Sequence, residues 1–175
     1  MPLQFNLPNV ISLARVPLAV LFGFAESTTL RVIIITTAAL TDWADGWIAR
    51  RYGQGTISGE VLDPVTDKLF VAIVMGTYLF RGLLTPWELV LLWLRDLYNS
   101  FAFVLLRRRK LPVRFKARRS GKLVTVAQML ALVLITIAPA TASYAAIATA
   151  ALSVYSIVDY TRAGLIALRH TENAG

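Results

Sequence analysis

Six long apolar stretches alternate with polar links along the chain: Val10–Phe24, Leu30–Ala49, Asp63–Phe80, Pro86–Leu106, Leu123–Ala140 and Tyr144–Leu168. A helix needs about 20 residues, within a range of about 17–25, to cross ~30 Å of hydrocarbon. The first stretch reaches that length if Pro8 or Asn9 begins it and Ala25 ends it. The fifth and sixth are joined only by Pro139 to Ser143, as in a tight helical hairpin. A soluble bundle would show a polar face on each helix, yet Leu123–Ala140 contains no charge at all. The pattern predicts an all-α integral membrane bundle of six transmembrane helices, forming a single domain over residues 1–175. The first stretch has no basic segment before it and runs at once into a second, so it reads as a retained span rather than a cleaved signal.

Composition agrees with that picture. The 175 residues are 57% hydrophobic and 16% charged, with no cysteine. Soluble domains hold about 45–50% apolar and about 25% charged residues. A disordered chain, a disulfide-stapled module and an ordinary soluble enzyme are all disfavoured. The net charge is nevertheless +8, and its distribution gives the orientation. Nine of the 18 basic residues, from Arg107 to Lys122, lie in the link between spans four and five. Arg50 and Arg51 lie between spans two and three, and Arg169 follows span six, whereas the opposite-side links carry only Arg31 and Arg81. Basic residues collect on the cytoplasmic side, so both termini are expected there. In a membrane-embedded chain the basic link does not read as a nucleic-acid patch. It suits anionic lipid head groups, at about 1 kcal/mol per basic residue near the surface, or a phosphate on a substrate.

The acids are harder to account for. Asp42, Asp45, Asp63 and Asp67 fall within 26 positions, at or inside the cytoplasmic ends of spans two and three. A carboxylate deep in a span costs roughly 2.5–3.5 kcal/mol. Asp42 and Asp45 are i,i+3, with Gly46, Ala49 and Arg50 on the same helical face. Asp63 and Asp67 are i,i+4, and Gly59 lies four residues before Asp63. Two helices therefore present four carboxylates beside small residues that admit a close ligand or a close helix. Oxygen ligands without His or Cys suit Mg²⁺, Mn²⁺ or Ca²⁺, and four carboxylates can hold two ions ~3.5–4 Å apart, as in phosphoryl chemistry. Internal salt bridges to Arg50, Arg51 and Lys68 are an alternative, although three bases poorly match four close acids. A cation channel or transporter is another.

Written out, the segment is Asp42-x-x-Asp45-Gly46-x-x-Ala49-Arg50, eight residues, Gly59, three residues, Asp63, three residues, Asp67. It resembles the signature of the CDP-alcohol phosphotransferase family, D-x2-D-G-x2-A-R-x8-G-x3-D-x3-D, at every fixed residue and gap. Asn9 to Arg15 is similar to the N-x-x-S/T-x-x-R opening of that family's first helix, and Leu62-Asp63-Pro64-x-x-Asp67-Lys68 to its L-D-P-x-x-D-K stretch. The resemblance implies transfer of a phosphatidyl group from CDP-diacylglycerol to an alcohol, with release of CMP. It implies two divalent cations, Mg²⁺ or Mn²⁺, held by Asp42, Asp45, Asp63 and Asp67. Asp67 is also the implied general base. Asp45, Gly46, Ala49, Arg50 and Gly59 are the implied nucleotide-binding residues. A homodimer in the bacterial inner membrane, with its active site facing the cytoplasm, is implied as well.

The acceptor is less sharply marked. Arg114, Arg118 and Lys122 fall at i, i+4 and i+8 if the basic link enters span five as a helix, and could converge on an acceptor phosphate. Ser120-Gly121-Lys122-Leu123-x-Thr125-x-x-Gln128 is similar to the G/S-K-x-x-T-x-x-Q region of the family's phosphatidylglycerophosphate and cardiolipin synthases. This favours glycerol 3-phosphate. Arg95-Asp96 in span four, where many of the former carry Arg-Glu, and Leu111-Pro112 lean instead toward phosphatidylglycerol as acceptor. Inositol phosphate is a further alternative. Arg95 and Asp96 also admit a purely internal role, as a polar pair between helices.

Overall fold

The computed structural model describes residues 7–52, 57–108 and 119–172, and among them the chain is helical with no strand. The helices are α1 (Leu7–Leu13), α2 (Arg15–Phe24), α3 (Thr28–Tyr52), α4 (Ile57–Phe80), α5 (Pro86–Arg108), α6 (Arg119–Ile137) and α7 (Ala142–Glu172), with a 3-10 turn at Pro139–Thr141. Each predicted apolar stretch is helical, but the first is split. Pro17 has no N–H to offer the Leu13 carbonyl, and its ring crowds that same group. The ladder is carried past the break by Ala14 N–H to Val10 O (3.1 Å) and Leu18 N–H to Ala14 O (3.3 Å). The fifth and sixth stretches meet through the 3-10 turn as a short hairpin.

The contacts divide the chain into two compact units. The first holds residues 1–84 and 135–139. In it α1 packs on α3 and α4, and α2 packs on α4 and α3. Phe22, Ile34, Ile35, Phe70, Val74, Met75 and Ile135 fill its core. The rings of Phe22 and Tyr78 meet edge to face at 5.6 Å, and the Tyr78 hydroxyl shares a hydrogen bond with Thr136. Arg31 and Arg81 both serve the C-terminus of α2. Arg31 Nε donates to Ala25 O at 2.9 Å, and Arg81 donates to Gly23 O at 3.2 Å. Cations favour a helix C-terminus, where carbonyls lack partners.

The second unit holds residues 85–134 and 140–175. Here α5 packs along α7. The buried residues of α7 are small: Ala142, Ala145, Ala146, Thr149, Ala150, Ser153 and Ser156. Small residues at this spacing let helix backbones approach closely. Gln128 of α6 donates to Leu92 O of α5 at 3.0 Å. Glu88 is buried at the start of α5 in a capping box. Its carboxylate accepts from Thr85 N–H (2.8 Å) and Thr85 Oγ1 (2.7 Å). It also accepts from Ser143 Oγ of α7 at 2.5 Å. The turn before it has the Schellman form: Gly82 adopts φ +68°, and Leu83 N–H reaches Tyr78 O at 2.9 Å.

Apolar side chains fill the interiors of the units and also cover their outer faces. Large apolar side chains face outward on every helix whose side chains are described, Phe80 at 95%, Phe24 at 79% and Tyr144 at 77% exposure among them. Ser12, Arg15, Thr66, Gln128, Ser153 and Ser156 are buried. Two helical stretches, Ser120–Ile137 and Pro139–Gly164, are long and apolar enough to cross a membrane, and Val10–Phe24 is apolar but shorter.

Candidate functional site

In the first unit the chain brings three charged groups together from three helices. Arg15 stands in the first turn of α2, just past the proline-induced break, and is 1% exposed. Its guanidinium pairs with Asp67 of α4 and lies 3.4 Å from Asp42 Oδ1 of α3. The two carboxylate side chains are 35% and 44% exposed, so each faces partly outward. A buried guanidinium requires anionic partners in a medium of low dielectric. Arg15 thus bridges a carboxylate of α3 and a carboxylate of α4.

Asp45, Gly46, Ala49 and Arg50 continue α3, and Gly59 and Asp63 belong to α4, but their side chains lie outside the described residues. Among the described residues no group of three His, Cys, Asp or Glu side chains forms a metal cluster. The two described carboxylates are donors of the kind a hard divalent cation takes, and in this structure both are paired with Arg15. They come from two helices, converge on one cationic group and consist of oxygen donors alone. Arg15 is the residue that sequence reasoning missed as part of this centre. The available signal was a lone guanidinium within the otherwise uncharged stretch Val10–Phe24. Internal salt bridging of these acids is present at Asp42 and Asp67, with Arg15 as a base that was not considered for that role; the side chains of Arg50 and Arg51 lie outside the described residues.

A second polar cluster is built within α5, α6 and α7. Arg95 of α5 pairs with its neighbour Asp96 at 2.7 Å. It also donates to the Gly121 carbonyl and to Thr125 Oγ1 at 3.1 Å, both on α6. Ser120 Oγ donates to Asp159 Oδ2 of α7 at 2.6 Å. Gly121 is buried under Tyr160, where an added Cβ would come within 2.7 Å of the phenolic oxygen. Lys122, the next residue, is exposed. Arg114 and Arg118, expected to join Lys122 at an acceptor phosphate, lie outside the described residues.

The fold and the site together define a class: an all-α protein with at least two helices able to cross a membrane, apolar side chains turned outward and carboxylates gathered around a buried arginine. The particular family follows from comparison. A model of the CDP-alcohol phosphatidyltransferase family matches residues 5–157, and the chain belongs to that family. Proteins named CDP-diacylglycerol–glycerol-3-phosphate 3-phosphatidyltransferase from Salmonella paratyphi A and from Escherichia coli K12 are each 44% identical to it over 79 residues. The protein of that name from Salmonella choleraesuis is 46% identical over 79 residues. Each alignment covers 42% of this chain and 43% of the relative, so the match spans less than half the length of these relatives.

Proposed function

We propose that this protein transfers a phosphatidyl group from CDP-diacylglycerol to the hydroxyl of a phosphate-bearing alcohol, with glycerol 3-phosphate the preferred acceptor. The observation that carries the reading is the convergence of Asp42 and Asp67 from α3 and α4, within a motif that matches the family signature in full. The names of the relatives support the acceptor. The acceptor oxygen forms a bond to the phosphorus that carries diacylglycerol. The bond from that phosphorus to the bridging oxygen breaks, CMP leaves with the electron pair, and the hydroxyl proton passes to Asp67. An alcohol is a weak nucleophile until a base takes its proton. The half-open Asp67 carboxylate can meet a hydroxyl arriving from water.

Asp42, Asp45, Asp63 and Asp67 are the residues that would hold two divalent cations, Mg²⁺ or Mn²⁺. When bound, such ions neutralise the pyrophosphate and polarise the phosphorus under attack. Gly46, Ala49 and Gly59 leave room for the nucleotide beside Asp45, and Arg50 holds its phosphate side. Lys122, with Arg114 and Arg118, holds the acceptor phosphate. Six spans with both termini in the cytoplasm place the site at the cytoplasmic boundary of the bacterial inner membrane. Diacylglycerol tails remain in the lipid there, while CDP and a soluble acceptor enter from water. The outward apolar side chains of every helix support such immersion, and the basic link faces anionic lipid. A homodimer is part of the same reading.

The test is purified protein in lipid nanodiscs with labelled CDP-diacylglycerol and a panel of alcohols. The expected result is CMP release with glycerol 3-phosphate that EDTA abolishes and Mg²⁺ or Mn²⁺ restores. Product from phosphatidylglycerol and none from glycerol 3-phosphate would overturn the acceptor. CMP release with no alcohol tested, or ion flux without any nucleotide lipid, would overturn the transferase reading.

A further inference from the structure

The Arg95–Asp96 pair has no part in the chemistry above, yet it is an expensive feature. Both groups lie within an apolar helix, at 13% and 16% side-chain exposure. A buried ion pair rarely stabilises a fold better than packed apolar residues of the same size, so its retention calls for a geometric explanation. The guanidinium supplies one. Its planar fork of donors reaches three acceptors at once: Asp96 Oδ1, the Gly121 carbonyl and Thr125 Oγ1. Two of these lie on successive turns of α6, and Thr125 Oγ1 itself donates to the Gly121 carbonyl at 3.3 Å. From α7, Asp159 holds Ser120 and Tyr160 covers Gly121. The first turn of α6 is thus gripped by α5 on one side and α7 on the other. Ser120 and Gly121 are buried by the grip, while Lys122, next after Gly121, is exposed.

We infer that Arg95 is a positioning residue for the acceptor: it fixes the first turn of α6 so that Lys122 meets the acceptor phosphate in one place. The inference rests on the reading of Lys122 as a ligand of that phosphate. A lysine is a point charge on a flexible four-carbon stem, so the protein controls its reach chiefly through the backbone that bears it. Asp96 neutralises the guanidinium, so Arg95 adds no net charge beside the exposed Lys122. Arginine is needed because a lysine at position 95 could not serve the carbonyl, the hydroxyl and the carboxylate together.

Four variants in nanodiscs test this: Arg95→Met, Arg95→Lys, Thr125→Val and Lys122→Met. KM and kcat are measured separately for CDP-diacylglycerol and glycerol 3-phosphate. Lys122→Met and Arg95→Met should each raise the acceptor KM by about tenfold or more. Donor KM should stay within about threefold, a split that general loss of stability would not produce. Arg95→Lys should recover only part of the loss. Thr125→Val, which keeps shape and removes one of the two α6 partners, should shift acceptor KM by a few-fold in the same direction, and it covers the case in which Arg95→Met does not fold. In the double variant the effect of Arg95→Met should largely vanish on the Lys122→Met background. If Lys122→Met alone raises acceptor KM while the Arg95 and Thr125 variants act additively with it, or shift donor and acceptor equally, the positioning role is overturned and the acceptor reading stands. If Lys122→Met leaves acceptor KM unchanged, the acceptor reading fails, and the inference with it.

Discussion

The two units bury charge in contrasting ways. In the first, Arg15 is held by carboxylates 27 and 52 positions further along the chain, from two other helices, and both carboxylates remain half-open. In the second, Arg95 is neutralised by its immediate neighbour, and its other partners are an uncharged carbonyl and hydroxyl. In the first arrangement the two described carboxylates are open to solvent on one side. In the second, the Arg95–Asp96 pair is largely covered, which suits a fixed support. Buried charge here is not of one kind: the partners of Arg15 are half-open, whereas Arg95 and its carboxylate are both mostly covered.

The sharpest way to break the contrast is to act on the open centre. Asp67→Asn keeps the shape of the side chain and removes its basicity. Turnover should fall roughly 10²–10⁴-fold, with thermal unfolding changed little, as read from CMP release and a melting curve on the same preparation. Retention of full activity would remove Asp67 as the base and place the chemistry elsewhere.

Arg15→Met should come next. It takes one buried cation away from two half-open carboxylates, which water can then partly solvate. The cost to stability should be about 1–3 kcal/mol, seen as a lowered melting temperature. Mn²⁺ binding followed by paramagnetic resonance gives a second readout. Binding retained at lower thermal stability would mark Arg15 as support for the carboxylates rather than a requirement for metal. An unchanged melting temperature would show that the ion pairs contribute nothing to the fold.

The smallest expected effect belongs to the closed cluster. Gly121→Ala would drive a methyl group to 2.7 Å from the Tyr160 hydroxyl and 3.3 Å from the ring edge. Overpacking of this kind costs about 1–3 kcal/mol, toward the low end because the nearest atom is the tip of a side chain. Adding Tyr160→Phe should recover part of that loss. If the double variant is no more stable than Gly121→Ala, the contact with Tyr160 is not what demands glycine.

Much of the helical framework was legible because hydrophobic runs of this length leave few alternatives. The break near Ala14 was also written in the chain, since Pro17 must cost the Leu13 carbonyl its partner, although the first stretch read as one helix. The turn between α4 and α5 carries ordinary local signals in Gly82, Thr85, Pro86 and Glu88. The aspartate register on α3 and α4 was legible for the same local reason: positions three and four apart share a face. What could not be read was which base would meet those acids. Arg50, Arg51 and Lys68 are near in sequence, whereas Arg15 is brought to Asp42 and Asp67 by the packing of α1 and α2 on α3 and α4.

The amino-acid sequence alone therefore determined the helices, the outward apolar surface and the spacing of the aspartates, since all three follow from local periodicity and the cost of exposing or burying side chains. It also carried the motif that places the chain in its family. The tertiary structure decided the partnerships: Arg15 with Asp42 and Asp67, Arg95 with the first turn of α6, and Tyr160 over Gly121. These depend on contacts between residues 25 or more positions apart, and helix packing, which no local period encodes, selects among the many pairs that charge alone would allow.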